Sequence, residues 1–599
     1  MFCALAAFCP QSNSQPINQL TRARKPAQRA SAAKSGLLRS LTLRERIAQL
    51  IVVRGYGDYP RSDNAEYMAF RRWVEQDRIG GFIVVNRVRD GVVINARPFE
   101  MATFINHVQR LAKTPLLVAS DFEHGASMRV SDTAKFPYLM AFGAAHDQSL
   151  IRELGAATAH EARALGVDWI LAPDADVNNN PDNPVINVRS FGEDAQTVAA
   201  DVGAFIEGAH SDPQNYVLVS AKHFPGHGDT AEDSHMQLAR LDEPKDRVES
   251  VELVPFRSAI AHGVDSIMTA HMTVAAFETQ PIPATVSHKV LTGLLRDELG
   301  FKGIVVTDGM DMAGLSALYS PGEAAVRAIE AGADVLLMPA NPEACIRALM
   351  EAVASGRISA ARIDQSALKV MMAKQKLGLF RSRLVNLDEL SDELDEPRLD
   401  QIAQRVADRA VTLVKDDKHL FPMPEGDGNC LVVLGDGLFS QRGQILTEEL
   451  QRKAPETRVY VTNSSMPDDV LTAIATSAKS CKQIYAATFV TVATYGGSLG
   501  LQGGLNNFLN ALIAGPAPVA LISLGNPYLL RDFPGVAAYA ATFSTTTTSE
   551  LAAAKAILGE MPIGGTMPVS IPGLAKTGDG LMVPLRPPIK IATAKMATR

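Results

Sequence analysis

The chain has 599 residues, of which 46% are hydrophobic and 21% charged, with a formal net charge of -7 at pH 7. This composition belongs to a folded globular protein of two or three domains and argues against nucleic acid as a partner. Five scattered cysteines without a C-x-x-C pair suggest neither a zinc knuckle nor a disulfide framework, and no run of 18 apolar residues proposes a membrane span.

Residues 1–9 are apolar but short, and no Lys or Arg precedes them, so the charged start of a secretory signal is missing. Residues 10–35 are rich in Ser, Gln, Ala and Arg. Segment 1–35 therefore reads as disordered, with a remnant signal peptide as one interpretation of its start.

From residue 45 to 340, short apolar runs alternate with longer helical patterns. The runs fall at 48–53, 81–85, 115–120, 167–172, 217–221, 265–270, 303–307 and 333–338. Amphipathic stretches such as 101–112, 150–165, 286–299 and 323–331 lie between them. Eight such units predict an α/β fold, a (β/α)8 TIM-type barrel over 36–384, with a doubly wound open sheet as the second choice. Residues 341–378 read as two closing helices and 385–400 as an acidic linker. A smaller α/β sandwich domain follows over 401–585, then a tail over 586–599. Its apolar runs are 430–434, 458–461, 483–490 and 518–524. The glycine-rich pieces Gly435-Asp-Gly437, Gly496-Gly497 and Gly503-Gly504 fit no phosphate-loop pattern.

Polar residues follow these runs directly. Asp121 comes after the third, Asp174 and Asp176 after the fourth, Lys222 and His223 after the fifth, His271 after the sixth and Asp308 after the seventh. In a barrel these points converge on the C-terminal rim, where catalytic groups gather. The densest stretch is 222–238, K-H-F-P-G-H-G-D-T-A-E-D-S-H-M-Q-L, which Pro225, Gly226 and Gly228 keep from being a helix. A carboxylate such as Asp308 at a strand mouth suits a nucleophile, with a helix cap as the plainer reading; Asp311 fits the cap better. Asp233 beside His235 can fix the imidazole tautomer and make it a general acid. Asp121, Glu123, Arg129, Arg189, Lys222 and His223 offer donors and acceptors for sugar hydroxyls, and His271 joins the substrate-binding set from its place on the rim. A divalent metal on His223, His227, Asp229 and His235 is the rival, but Phe-Pro-Gly precludes the helix that i, i+4 ligands need. No cofactor is expected, His227 reads as a brace for its loop, and Trp73 and Trp169 read as packing.

At 222–235, K-H-F-P-G-H-G-D-T-x-x-D-S-H, together with R-S-F-G from Arg189 and V-T-D-G-M from Val306, the sequence resembles glycoside hydrolase family 3, specifically its β-N-acetylglucosaminidase branch. The resemblance runs over about residues 40–575 and includes Ser523-Leu-Gly-Asn-Pro-Tyr528 and Met567-Pro-Val-Ser-Ile-Pro572. It implies Asp308 as nucleophile, His235 with Asp233 as acid/base dyad, and Asp121, Arg129, Arg189, Lys222 and His223 as holders of a terminal N-acetylglucosamine. It implies no catalytic residue in the second domain, which would support or cover the barrel. The implied reaction is retaining hydrolysis of β-linked N-acetylglucosamine from peptidoglycan fragments. Alternatives are a phosphorylase, a β-glucosidase, a silent sugar-binding protein and a metal-dependent amidohydrolase. An exported location is favoured over the cytoplasm. One departure stands out: the family shows Q-E-G-G-R-V after the aspartate, whereas this chain has Phe122-Glu-His-Gly-Ala-Ser127.

Overall fold

The computed structural model describes residues 36–89, 92–438, 440–491 and 499–587. The N-terminal segment read as disordered, Cys3 and Cys9 within it, Gly496-Gly497 and the tail from residue 588 lie outside them.

Each of the eight apolar runs overlaps a strand: β1 (Ile51–Tyr56), β2 (Gly81–Val85), β3 (Leu117–Ser120), β4 (Trp169–Ile170), β5 (Leu218–Phe224), β6 (Ser266–Thr269), β7 (Ile304–Thr307) and β8 (Leu336–Leu337). All pair in parallel, β8 returns to β1, and a bridge between Val306 and Val335 joins β7 to the approach to β8. The sheet closes, so the barrel is the fold and the open-sheet alternative falls. Residue alternation explains the closure. Val52, Ile83, Leu117, Trp169 and Met268 pack together inside, while Val53, Phe82, Val118, Ile170 and Ile267 face the helix layer. The buried Trp169 indole, confirming the packing expectation, donates to the hydroxyls of Ser220 (2.8 Å) and Ser266 (3.0 Å). Helices α1 (Ala65–Arg72), α2 (Pro98–Leu111), α3 (Gln148–Leu165), α4 (Ala195–Ala209), α5 (Leu253–Ala261), α6 (Lys289–Glu298), α7 (Pro321–Ala331) and α8 (Pro342–Ala354) follow the strands in turn. Local chemistry sets their ends: Asp147 and Asp194 cap α3 and α4, and Gly166 closes α3 at φ 85°.

After α9 (Ala360–Lys376), the acidic segment carries a short helix, Leu390–Leu394, and α10 begins at Pro397 and runs to Ala410. The second sheet comprises β9 (Thr412–Asp416), β10 (Asn429–Gly435), β11 (Arg458–Asn463), β12 (Gln483–Val490), β13 (Val519–Gly525) and β14 (Ala538–Ala541), in the order β9-β14-β13-β12-β10-β11. Only β9 is antiparallel to its neighbour. The sequence pattern missed β9 and β14. Alternate residues feed two cores: Val432 and Ile484 on one face, Leu431 and Tyr485 on the other. The first core also takes in Met140, Ala141 and Val188 of the barrel, so apolar packing holds the two units together.

One expectation is corrected here. Cys430 and Cys481, 51 residues apart, form a disulfide with Cα atoms 6.0 Å apart. It ties the start of β10 to the turn before β12. A loop of this length is worth about 2–4 kcal/mol to the folded state. Cys430→Ser should therefore lower the stability of the second domain by that amount in a denaturant titration, and reductant should reproduce the loss in the wild type.

Candidate active site

The C-terminal ends of the barrel strands open into a cleft of about 1480 Å3, roofed on one side by Arg442, Gln502 and Thr546 of the second domain. Of the ten residues singled out from the sequence for the site, nine line it: Asp121, Glu123, Arg129, Arg189, Lys222, His223, Asp233, His235 and Asp308. The tenth, His271, does not. Its Nδ1 meets the Thr285 hydroxyl at 2.8 Å and its Nε2 the Gly309 carbonyl at 2.9 Å, so both nitrogens brace the turn behind Asp308. Its assignment to substrate binding is corrected accordingly.

The floor is a buried ion network built from the loops after β3 and β4 and from strand β5. Lys222 Nζ reaches Asp121 Oδ1 (3.0 Å), Glu123 Oε1 (2.7 Å) and Asp174 Oδ1 (3.8 Å). Arg189 grips both Glu123 oxygens at 2.8 and 2.9 Å and lies 3.2 Å from Asp174 Oδ2, while Arg129 meets Asp121 at 2.9 Å and Asn86 at 2.9 Å. Burial disfavours charge on Asp121, Glu123 and Lys222, and their partners overrule it. Lys222 and Arg129 hold Asp121 below the usual carboxylate range, Arg189 and Lys222 hold Glu123 well below it, and the three acids raise the Lys222 ammonium. Glu123 is thus the hub that fixes both Arg189 and Lys222. Sequence reasoning ranked it only among generic acceptors, because its partners come from 66 and 99 residues away (Arg189 and Lys222).

Asp176, fully buried, accepts from His223 Nδ1 (2.8 Å) and from the backbone N–H groups of His223 and His227. That orients the His223 ring, and Asp176 and Asp174 raise its pKa against burial. His227 does brace the loop: Nδ1 pairs with the Thr230 hydroxyl at 2.7 Å, and burial pushes the ring down to about 4. A Cβ at Gly228 would run into the Val177 carbonyl, so only glycine lets the loop lie this close.

On the opposite side, Asp233 Oδ1 accepts from both the backbone N–H and Nδ1 of His235, each at 2.8 Å. An ionised carboxylate only accepts, so Nδ1 carries the hydrogen, and a proton exchanged with a ligand would pass through Nε2. The carbonyls of Ser234 and His235 accept from Gly314 (3.2 Å) and Ala313 (3.4 Å), which locks this loop onto the chain just after Asp308. Asp308 itself is partly buried. Burial opposes its ionisation, but His223, His271, His235 and the Gly309 N–H (2.7 Å) outweigh it and hold the carboxyl down at about 2. Asp311 is not a cap: Met312 occupies that position, and Asp311 pairs with Arg54 at 2.5 Å across the rim.

The metal quartet considered from sequence does not converge. Among the described residues, the group with carboxylate and imidazole atoms within 4.8 Å of one another is Asp174, Asp176 and His223. Arg189 and Lys222 already neutralise its edge, and Asp229 faces Arg247 at 3.7 Å. The departure after Asp121 places His124 in the cleft wall, its ring edge-on to Tyr138 at 4.6 Å and pushed down to about 4 by burial. Ala126 is fully buried.

The second domain clamps the Arg189 turn. Asn178 donates to the Tyr528 hydroxyl (2.8 Å), and Asn187, at φ 42°, donates to Asn526 (3.2 Å).

The profile of the Glycosyl hydrolase family 3 N terminal domain matches residues 42–373. A β-N-acetylglucosaminidase/β-glucosidase of Cellulomonas fimi is 31% identical over 54% of this chain and 58% of its own length. A β-hexosaminidase of Xanthomonas oryzae is 32% identical over 49% of this chain and 85% of its own. The chain thus spans little more than half of the first relative and most of the second. The solved β-N-acetylglucosaminidase of Paenibacillus sp. str. FPU-7 superposes with a TM-score of 0.78 at 31% identity, over 89% of this chain and 99% of that one. A β-glucoside phosphorylase shares the fold at 22% identity, with a TM-score of 0.79 over 91% and 96% of the two chains.

Proposed function

The chain belongs to glycoside hydrolase family 3, and from that premise we propose that it is a retaining exo-β-N-acetylglucosaminidase acting on terminal β-linked N-acetylglucosamine, with peptidoglycan fragments as the source. The observation that carries this reading is the His235–Asp233 pair, 2.8 Å apart, locked to the segment that follows Asp308. Asp308 attacks the anomeric carbon as the glycosidic C–O bond breaks, and the leaving oxygen takes the proton from His235 Nε2. Water then attacks the glycosyl–aspartyl ester, gives its proton to His235, and Asp308 departs as a carboxylate. Asp121, Arg129, Lys222 and His223 hold the sugar over this pair. An oxidising, extracytoplasmic compartment fits the Cys430–Cys481 bridge.

Phosphorolysis is the second reading, because the imidazole, neutral once it has given up its proton, does not repel an incoming phosphate as a second carboxylate would. One experiment addresses both: aryl β-N-acetylglucosaminide and aryl β-glucoside are offered in phosphate and in phosphate-free buffer. Free N-acetylglucosamine in both buffers is the expected product. Sugar 1-phosphate selects the phosphorylase, and turnover of the glucoside alone removes the amino-sugar assignment.

A further inference from the structure

Asp174 is a buried group for which the mechanism has no use. Its side chain is fully buried and does not reach the cleft wall, and among the described residues neither carboxyl oxygen has a hydrogen-bond partner. Its charged neighbours are Arg189 at 3.2 Å, Lys222 at 3.8 Å, Glu123 across those two cations, and His223 and Asp176 within 4.8 Å. His223 faces the same Asp174, Arg189 and Asp176, the edge of the His227 ring at 6.2 Å between centroids, and Asp308 at the rim.

Counting charges in this network gives four carboxylates (Asp121, Glu123, Asp174, Asp176) against three permanent cations (Arg129, Arg189, Lys222). A buried excess charge is costly, so the network balances by binding one proton. Two sites can take it: Asp174, whose oxygens are otherwise unsatisfied, and His223. We propose that Asp174 and His223 hold one shared proton, and that Asp174, without touching substrate, keeps His223 positively charged where it faces the sugar and Asp308. Burial raises Asp174, and the two aspartates raise His223, so both ends of the pair lean the same way. With Nδ1 committed to Asp176, a charged His223 presents a donor on Nε2; a neutral one presents an acceptor. Asp174 is therefore a positioning residue that sets which hydrogen bond the sugar meets. The kinetic side of this inference rests on the glycosidase reading; the proton itself does not.

The test is Asp174→Asn, which keeps the shape and removes the competing charge. Nitrogen-15 NMR of labelled histidines follows His223, its signal identified by its loss in His223→Gln. Removing one carboxylate leaves three acids against three cations, so His223 should give up its charge at least about one pH unit lower than in the wild type. The basic limb of kcat/KM should fall by the same interval while the basic limb of kcat, set by His235, stays. A merely structural Asp174 would change stability and move neither. If Asp174→Asn does not fold, Asp174→Val carries the same test. The wild type decides without either variant: a His223 that loses its charge at or below the pH of an exposed imidazole, about 6.5, overturns the proposal. A shifted NMR titration in a protein that cleaves no glycoside would sink the functional reading and leave the shared proton standing.

Discussion

Asp308→Ala is expected to lower turnover of an aryl β-N-acetylglucosaminide by about 10⁴-fold or more, roughly 5.5 kcal/mol of transition-state stabilisation. The substitution removes the carboxylate at the cleft rim held between His223, His235 and His271, while the floor network proposed to hold the sugar is left in place. KM should therefore change far less than kcat. Added azide or formate, small enough to enter the vacated space, should restore part of the rate. Undiminished turnover would end the assignment of Asp308 as nucleophile. The pH behaviour follows from the sign of the shift. A carboxyl held down at about 2 is ionised throughout the ordinary range, so Asp308 sets no acidic limb above about pH 3. Any earlier loss of rate on the acid side reports another group or failure of the fold.

His235→Gln is expected to cost 10²- to 10⁴-fold in kcat, the usual worth of a positioned general acid. The loss should depend on the leaving group. An aryloxide that departs without protonation should lose the least at the glycosylation step, and a sugar alkoxide the most. The basic limb of kcat should disappear, because the proton whose departure shuts off the wild type is gone. An equal loss for every leaving group, with the limb intact, would mean that His235 acts through the loop it anchors and not as the acid. Asp233→Asn gives the complementary arm: the ring keeps its neighbour's shape and an oxygen that can accept from Nδ1–H but loses the negative charge beside it.

The barrel was legible because each strand is a local event. A short β-branched or apolar run ends at a polar residue, as in Ile304-Val-Val-Thr307 before Asp308, and alternation alone sends Val306 inward and Val305 outward. The Asp233–His235 contact was legible for the same reason: the two lie two positions apart and need only a turn to meet. What escaped was non-local. The grip of Glu123 on Arg189 and Lys222 and the Cys430–Cys481 bridge each join residues about 50 or more positions apart. No spacing rule reaches that far. His271 sat at the right strand end, yet the next residues, Met272–Val274, pair with Ala239–Leu241, and the ring lies behind the wall. β9 was missed because helix α10 runs into it with neither Gly nor Pro to mark the change.

The asparagine contacts between the two units have a practical corollary. Asn526 and Tyr528 sit more than 330 residues from the turn they steady, so the guanidinium that Glu123 receives is aimed jointly by the barrel and by a module outside it. Grafting this barrel onto another relative's second module would loosen sugar affinity unless that pair travels with it. Recombination between family members therefore has a natural unit: the whole chain, or a barrel accompanied by those two side chains.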